Sequence, residues 1–235
     1  RLCCASPPLD RTSEYYEDTA NDQPWECTFG TNDNDGIWVN YNDQVGTLMS
    51  SLVWVLIIYS MVTITLLAHN NHLPDHIAIV YQTICAMALA AHSKTMFTDP
   101  GSIPQQAVPL AILFKQGITT HAMCSHCQTY KPPNSHHCRI CNRCISGMDH
   151  HCPWMNNCVG AGNFKHFILF LCYTWTGCAF ALIIFALNYF FCNSEECAFA
   201  PVLVQLVRLM TLLCVGTILF VSSMLMNVMY GVMTG

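Results

Sequence analysis

The chain has 235 residues, of which 53% are hydrophobic and 10% charged, with a formal net charge of −5. A soluble domain carries about 25% charged residues, so this composition argues against an ordinary soluble fold and for a membrane. No basic tract suited to nucleic acid is present, and the 16 cysteines lack the even spacing of a small disulfide-stapled domain.

Residues 1–46 hold nine Asp/Glu against two Arg. They read as an acidic, largely disordered cytosolic arm with a short aromatic patch near Trp38 and Tyr41. No basic region followed by a short apolar core marks a signal peptide. The chain opens on Arg rather than Met and stops soon after an apolar run, as a fragment of a longer protein would. Four apolar segments follow, at 47–68, 76–93, 166–191 and 202–232. A spanning helix needs about 20 mainly apolar residues. The second segment is the weakest, because it carries Gln82 and His92, and an interfacial or buried helix is its alternative reading. No internal repeat is apparent.

Basic residues set the orientation. Lys94, Lys115, Lys131, Arg139, Arg143 and Lys165 all fall between the second and third segments, while the loops at 69–75 and 192–201 carry no Lys or Arg. Positive loops stay cytoplasmic, so the loop at 94–165 and both termini are expected in the cytosol. Arg208 then lies near the lumenal end of the fourth span, where it snorkels. Cys192 and Cys197 would face the lumen, as a disulfide or as two free thiols. The expected fold is mainly α: a four-helix transmembrane bundle with a cytosolic zinc-binding cysteine-rich domain, at about 121–165, between helices 2 and 3.

That domain carries the chemistry. It reads Cys124-Ser-His-Cys127, then nine residues, then His137-Cys138-Arg-Ile-Cys141-Asn-Arg-Cys144, and continues through Asp149-His150-His151-Cys152-Pro153-Trp154 to Asn157-Cys158. Tetrahedral zinc takes four Cys or His ligands, often as close pairs from tight turns. Seven cysteines are present, and two closed Cys3-His sites consume six. One thiol is left over, and an odd cysteine in such a loop is a candidate nucleophile. Spacing alone does not say which one. Neighbours favour Cys152: His150 can take a thiol proton, Asp149 can orient that histidine, and thiolate is the reactive form. The alternative is that Cys152 is a seventh metal ligand.

The block from Cys124 to Phe167 resembles the cysteine-rich domain of the DHHC palmitoyltransferases. The resemblance rests on Asp149-His150-His151-Cys152, followed by Pro153-Trp154 and by Asn157-Cys158-Val-Gly160. It extends to Asp99-Pro100-Gly101, to Asn163 and to the four-span layout, whose pattern is most similar to Golgi-type members. It implies one structural zinc on Cys124, Cys127, His137 and Cys144, and a second on Cys138, Cys141, His151 and Cys158. It also implies Cys152 as the acyl-accepting nucleophile, His150 as its general base and Asp149 as the residue orienting His150. Asn134 stands where the family usually has a basic residue, and the family's Thr-Thr-x-Glu element after the last span does not occur in the sequence given.

The activity expected from this resemblance is protein S-acyl transfer. A long-chain acyl group, palmitoyl above all, would pass from acyl-CoA to Cys152 and then to a cysteine of a cytosolic or membrane-associated protein substrate, at a Golgi or endoplasmic reticulum membrane. Lys131, Arg139, Arg143 and Lys165 are candidates for the CoA phosphates, with lipid headgroups as their alternative partners. Gly177 lies twelve residues after Lys165, on the order of 18 Å along a helix. It is a candidate for the end of an acyl slot, with helix packing as its other reading.

Overall fold

The structure is a computed structural model describing residues 16–18, 39–40, 42–104, 107–109, 123–191 and 200–234. Among these, four helices are long and apolar enough to cross a membrane. They are α1 (Gln44–His69), α2 (Asp75–Phe97), α3 (Phe164–Phe191) and α4 (Pro201–Thr234). Six short strands pair as three antiparallel ladders: β1 (Tyr16–Asp18) with β2 (Ala107–Pro109), β3 (Ser135–Cys138) with β4 (Arg143–Ser146), and β5 (His150–Cys152) with β6 (Asn157–Val159). Trp38, Tyr41, Lys115, Cys192 and Cys197 lie outside the described residues.

The chain divides into two compact units. The helical unit comprises Leu52–His92 and His166–Gly235. Its core takes Ile64 and Leu67 from α1, Tyr81 and Cys85 from α2, Ala181 and Phe185 from α3, and Met210 and Cys214 from α4. Large apolar side chains such as Ile183, Leu212 and Leu219 point outward instead, as lipid-facing residues do. The polar residues that weaken the second segment find partners on α1. Gln82 Nε2 donates to the Met61 carbonyl and to Thr65 Oγ1, both at 2.9 Å. Trp54 Nε1 donates to Nδ1 of the fully buried His92 at 3.1 Å. A polar group in an apolar bundle is tolerated when a neighbouring helix satisfies it, which is why this segment forms a full-length helix.

The site-bearing unit comprises Arg1–Ser51 and Ser93–Lys165. Two helix ends belong to it. Helix α1 begins three residues earlier than the expected Thr47, because Asp43 caps it: Asp43 Oδ1 accepts the Gly46 N–H at 2.7 Å. Helix α2 runs on past residue 93 to Phe97, and its terminal carbonyls are taken by asparagine side chains from the cysteine-rich segment. In the arm expected to be largely disordered, β1 pairs with β2, and Asn40 and Asp43 are buried.

The expectation of no internal repeat is overturned by backbone register. The pairs Met123↔Tyr130, His137↔Cys144 and His151↔Cys158 are spaced 14 residues apart (123, 137, 151). Each hairpin carries a left-handed residue at the same place: Gln128, Asn142 and Asn156, with φ of 57°, 54° and 47°. Side chains recur with it: Cys at 124, 138 and 152, Cys at 127 and 141, His at 137 and 151, and Cys at 144 and 158. What recurs is a knuckle, a tight turn closed by one residue in a left-handed conformation.

Candidate active site and metal centres

Strand alternation distributes the ligands. Successive residues on a strand point to opposite faces. His137 and its partner Cys144 therefore share one face of the β3–β4 hairpin, and Cys138 takes the other. Cys124, Cys127, His137 and Cys144 converge with all ligand atoms within 4.8 Å of one another, and so do Cys138, Cys141, His151 and Cys158. Each pair of knuckle cysteines is shaped by its own turn: the Cys127 N–H approaches Cys124 Sγ at 3.5 Å and the Cys141 N–H approaches Cys138 Sγ at 3.4 Å. Backbone N–H groups aimed at sulfur favour thiolate. Three sulfurs and one imidazole nitrogen, largely buried, fit a closed tetrahedral zinc site. Among the described residues these two clusters can hold metal ions, and a hairpin shared between them makes them one scaffold.

Cys152 belongs to neither cluster. In the 14-residue repeat it occupies the first-ligand position of a third knuckle (124, 138, 152). The second-ligand position of that knuckle holds Met155 instead of cysteine (127, 141, 155). The alternation of β5 completes the separation: His151 turns to the second cluster, and His150 and Cys152 share the opposite face. Cys152 is 3% exposed, and burial pushes its thiol up to about 11, opposed by the backbone amides of Met155 and Trp154. A thiol held there needs a base to become nucleophilic. His150 Nδ1 lies 2.6 Å from Asp149 Oδ2, an arrangement that fixes the Nδ1–H tautomer and leaves Nε2, which is buried, as the basic nitrogen.

Three asparagines hold this hairpin in place. Asn157 Nδ2 is shared among the carbonyls of Thr95, Met96 and Thr98 at 3.0, 3.2 and 3.0 Å. Asn163 donates to Thr95 and Cys158 carbonyls and accepts the Gly160 N–H. Asn156 donates to the Asn40 carbonyl and to Thr47 Oγ1. The last carbonyls of a helix have no intrahelical donor, so Asn157 and Asn163 act as a cap on α2 supplied from the site. Asn157→Ala strands these buried acceptors. It is expected to cost about 1–3 kcal/mol, read as a lowered unfolding temperature with zinc content unchanged.

The Asp99-Pro100-Gly101 element packs on the same unit. Asp99 Oδ1 accepts the N–H groups of Gly101 and Ser102, and Asp99 Oδ2 accepts the Ser102 hydroxyl. The turn lies so close to Gly162 that a Cβ there would run into the Asp99 carbonyl. An open cleft of about 470 Å³ is lined by Asn134, His136, Gly147, Met148, Asp149, Gly160, Ala161 and Phe164. None of the four basic candidates lines it. Lys131 and Arg143 are half-buried, and Arg139 and Lys165 are exposed. Gly177 is buried on α3, where a Cβ would meet Ile84 of α2 at 3.5 Å. The sequence reading missed Asp43 and Asn156 as parts of the site and took Asn157 as a motif residue without assigning it a role. Asn156-Asn157 were visible beside the cysteines, whereas Asp43 sits in an acidic run with no signal to separate it from its neighbours.

Fold and site define a multi-pass membrane protein with two Cys3-His clusters that could hold metal and, in the same cysteine-rich segment, a thiol at Cys152 outside both. Residues 118–235 match the family model of the DHHC palmitoyltransferases. Palmitoyltransferase ZDHHC7 of Mus musculus is 32% identical over 205 residues, which are 79% of this chain and 63% of that protein. Palmitoyltransferase ZDHHC3 of Rattus norvegicus is 33% identical over 236 residues, covering 95% of this chain and 75% of that protein. The probable protein S-acyltransferase 12 of Arabidopsis thaliana is 35% identical over 108 residues, 42% of this chain and 37% of that protein. The chain belongs to the DHHC palmitoyltransferase family, and the enzyme class read from its sequence is that of its relatives.

Proposed function

We propose that this chain transfers a long-chain acyl group from acyl-CoA, by way of a Cys152 thioester, to a cysteine of a protein substrate. One observation carries the reading. Of the seven cysteines between Cys124 and Cys158, Cys152 alone stands outside both four-residue clusters, on the strand face it shares with a histidine held at 2.6 Å by a carboxylate.

The chemistry follows from the groups present. His150 accepts the Cys152 proton through Nε2, and Asp149 stabilises the imidazolium that forms. Cys152 sulfur then attacks the thioester carbonyl: the new bond is Cys152 S–acyl, the bond broken is acyl–S of CoA, and His150 returns its proton to the departing thiolate. In the second half His150 takes the proton of the incoming substrate thiol and Cys152 leaves. Thioester exchange is close to isoenergetic, so rate comes from positioning and thiolate formation.

Zinc held by Cys124, Cys127, His137 and Cys144, and by Cys138, Cys141, His151 and Cys158, supplies structural crosslinks; closed sites offer no coordination position to substrate. Lys131, Arg139, Arg143 and Lys165 are proposed to attract the CoA phosphates, and Gly177 to border the acyl chain. The asymmetry of basic residues among the loops supports a cytosolic site. A Golgi or endoplasmic reticulum membrane fits the likeness to Golgi-type members.

The test is incubation of the full chain, in detergent or lipid nanodiscs, with labelled palmitoyl-CoA. A hydroxylamine-labile label on the chain that moves to a cysteine peptide is the expected result. Two bound zinc ions with no label would leave a metal scaffold and sink the enzymatic reading.

A further inference from the structure

We propose that Asn40, Asp43, Gly46 and Thr47 form a clasp that positions the second metal centre and, through it, the strand bearing Cys152. None of these residues lies within the part of the chain matched by the family model. The proposal rests on the reading that Cys138, Cys141, His151 and Cys158 hold zinc.

Asp43 is the centre of the clasp. It is 7% exposed and uses its two carboxylate oxygens for different tasks. Oδ1 caps α1 through the Gly46 N–H at 2.7 Å. Oδ2 lies 2.9 Å from His151 Nε2. His151 Nδ1 meanwhile faces Cys138, Cys141 and Cys158 at 3.6, 3.5 and 3.5 Å. Nδ1 is thus the ligating atom, and Nε2–H donates to the carboxylate. A ligating histidine whose other N–H is held by a carboxylate keeps its tautomer and ring orientation and binds metal more strongly.

Two further contacts tighten the same clasp. Asn40 is 2% exposed, and its Nδ2 donates to Cys141 Sγ at 3.6 Å. Its carbonyl accepts Asn156 Nδ2 at 3.1 Å, and the same Nδ2 reaches Thr47 Oγ1 at 3.3 Å. Asn156 is the left-handed residue that ends the 3₁₀ turn Pro153–Met155. The clasp therefore grips the chain on both sides of Cys152, at His151 before it and at Asn156 after it. Gly46 makes the fit possible: a Cβ there would run into the Asp43 carboxylate and the Asn156 amide. One carboxylate thereby joins the start of the first span to the strand that carries the thiol.

The test uses the full chain and measures zinc release to a chromogenic chelator beside acyl labelling. Asp43→Ser keeps a residue of high N-cap preference but is too short to hold His151. One of the two zinc ions is expected to leave about 10–100-fold faster and the other at the wild-type rate, with acyl labelling falling alongside the fast phase. Gly46→Ala provides the independent arm. Alanine favours helix over glycine by up to ~1 kcal/mol, so a purely helical role predicts an unchanged or steadier protein. The clasp predicts faster release of one zinc. Wild-type release of both ions in the two variants overturns the clasp. A wild-type chain holding fewer than two zinc ions overturns the reading of the clusters on which the clasp rests.

Discussion

Cys152→Ser is expected to take up no hydroxylamine-labile label from palmitoyl-CoA and to retain two zinc ions per chain. The first half of that expectation follows from chemistry. Serine has no accessible oxyanion at neutral pH, and a hydroxyl at this buried position lacks the nucleophilicity of sulfur. The second half follows from geometry and is the more discriminating. The two clusters that could hold metal already group eight side chains, and Cys152 is not among them. The 14-residue repeat gives the reason. A third knuckle has its first cysteine at 152, but Met155 stands at the second position, so no pair of thiolates exists to start a third site. Thioether sulfur is neutral and a weaker ligand for zinc than thiolate. The proposed nucleophile is thus a first-ligand position without its partner, held by the same kind of turn and outside both clusters. Metal analysis on the purified variant, beside the labelling assay, reads both halves. A drop to one zinc per chain would make the sulfur at 152 a ligand and end the acyl-enzyme proposal.

Much of this was legible in the residues. The cysteine pairs announced metal, the odd count announced a spare thiol, and the apolar runs announced helices. Each signal is local and chemically specific. What the sequence hid is of two kinds. Fourteen-residue periodicity is present in the cysteines at 124, 138 and 152, but the interleaved ligand spacing masks it, and it becomes plain only in register and in left-handed backbone at Gln128, Asn142 and Asn156, residue types common in any turn. Asp43 was hidden for the opposite reason: it is one of nine acidic residues in a segment whose composition predicts disorder. Only its burial against His151 distinguishes it. The extent of α2 was hidden in a third way. Polar residues end an apolar run on paper, but Asn157 and Asn163 supply donors to the last carbonyls, and the helix continues.

Removing one ligand from each centre is expected to have unequal consequences, and the inequality follows from the order of the hairpins. The first centre joins the Cys124–Cys127 knuckle to the β3–β4 hairpin, through His137 and Cys144. The second joins that hairpin to β5–β6, through His151 and Cys158. The three hairpins follow one another with one candidate metal cluster at each joint, and Cys152 rides on the last. Structural zinc contributes about 10–16 kcal/mol of binding free energy in small zinc modules, so losing a joint frees the hairpin beyond it. Cys124→Ser frees the knuckle farthest from the thiol. It leaves β5–β6 tied by the second centre, by Asn157 on the end of α2 and by Asp43. Cys138→Ser unties the strand bearing Cys152 itself, and a displacement of 1 Å at a reacting atom costs on the order of 10²-fold in rate. Each variant is expected to keep one zinc. Acyl-enzyme formation should fall by about 10²-fold or more in Cys138→Ser and by less than about tenfold in Cys124→Ser. Equal loss of labelling in the two variants, with one zinc retained in each, would mean that the hairpins move as a single block. The metal nearest the thiol would then have no special hold on it.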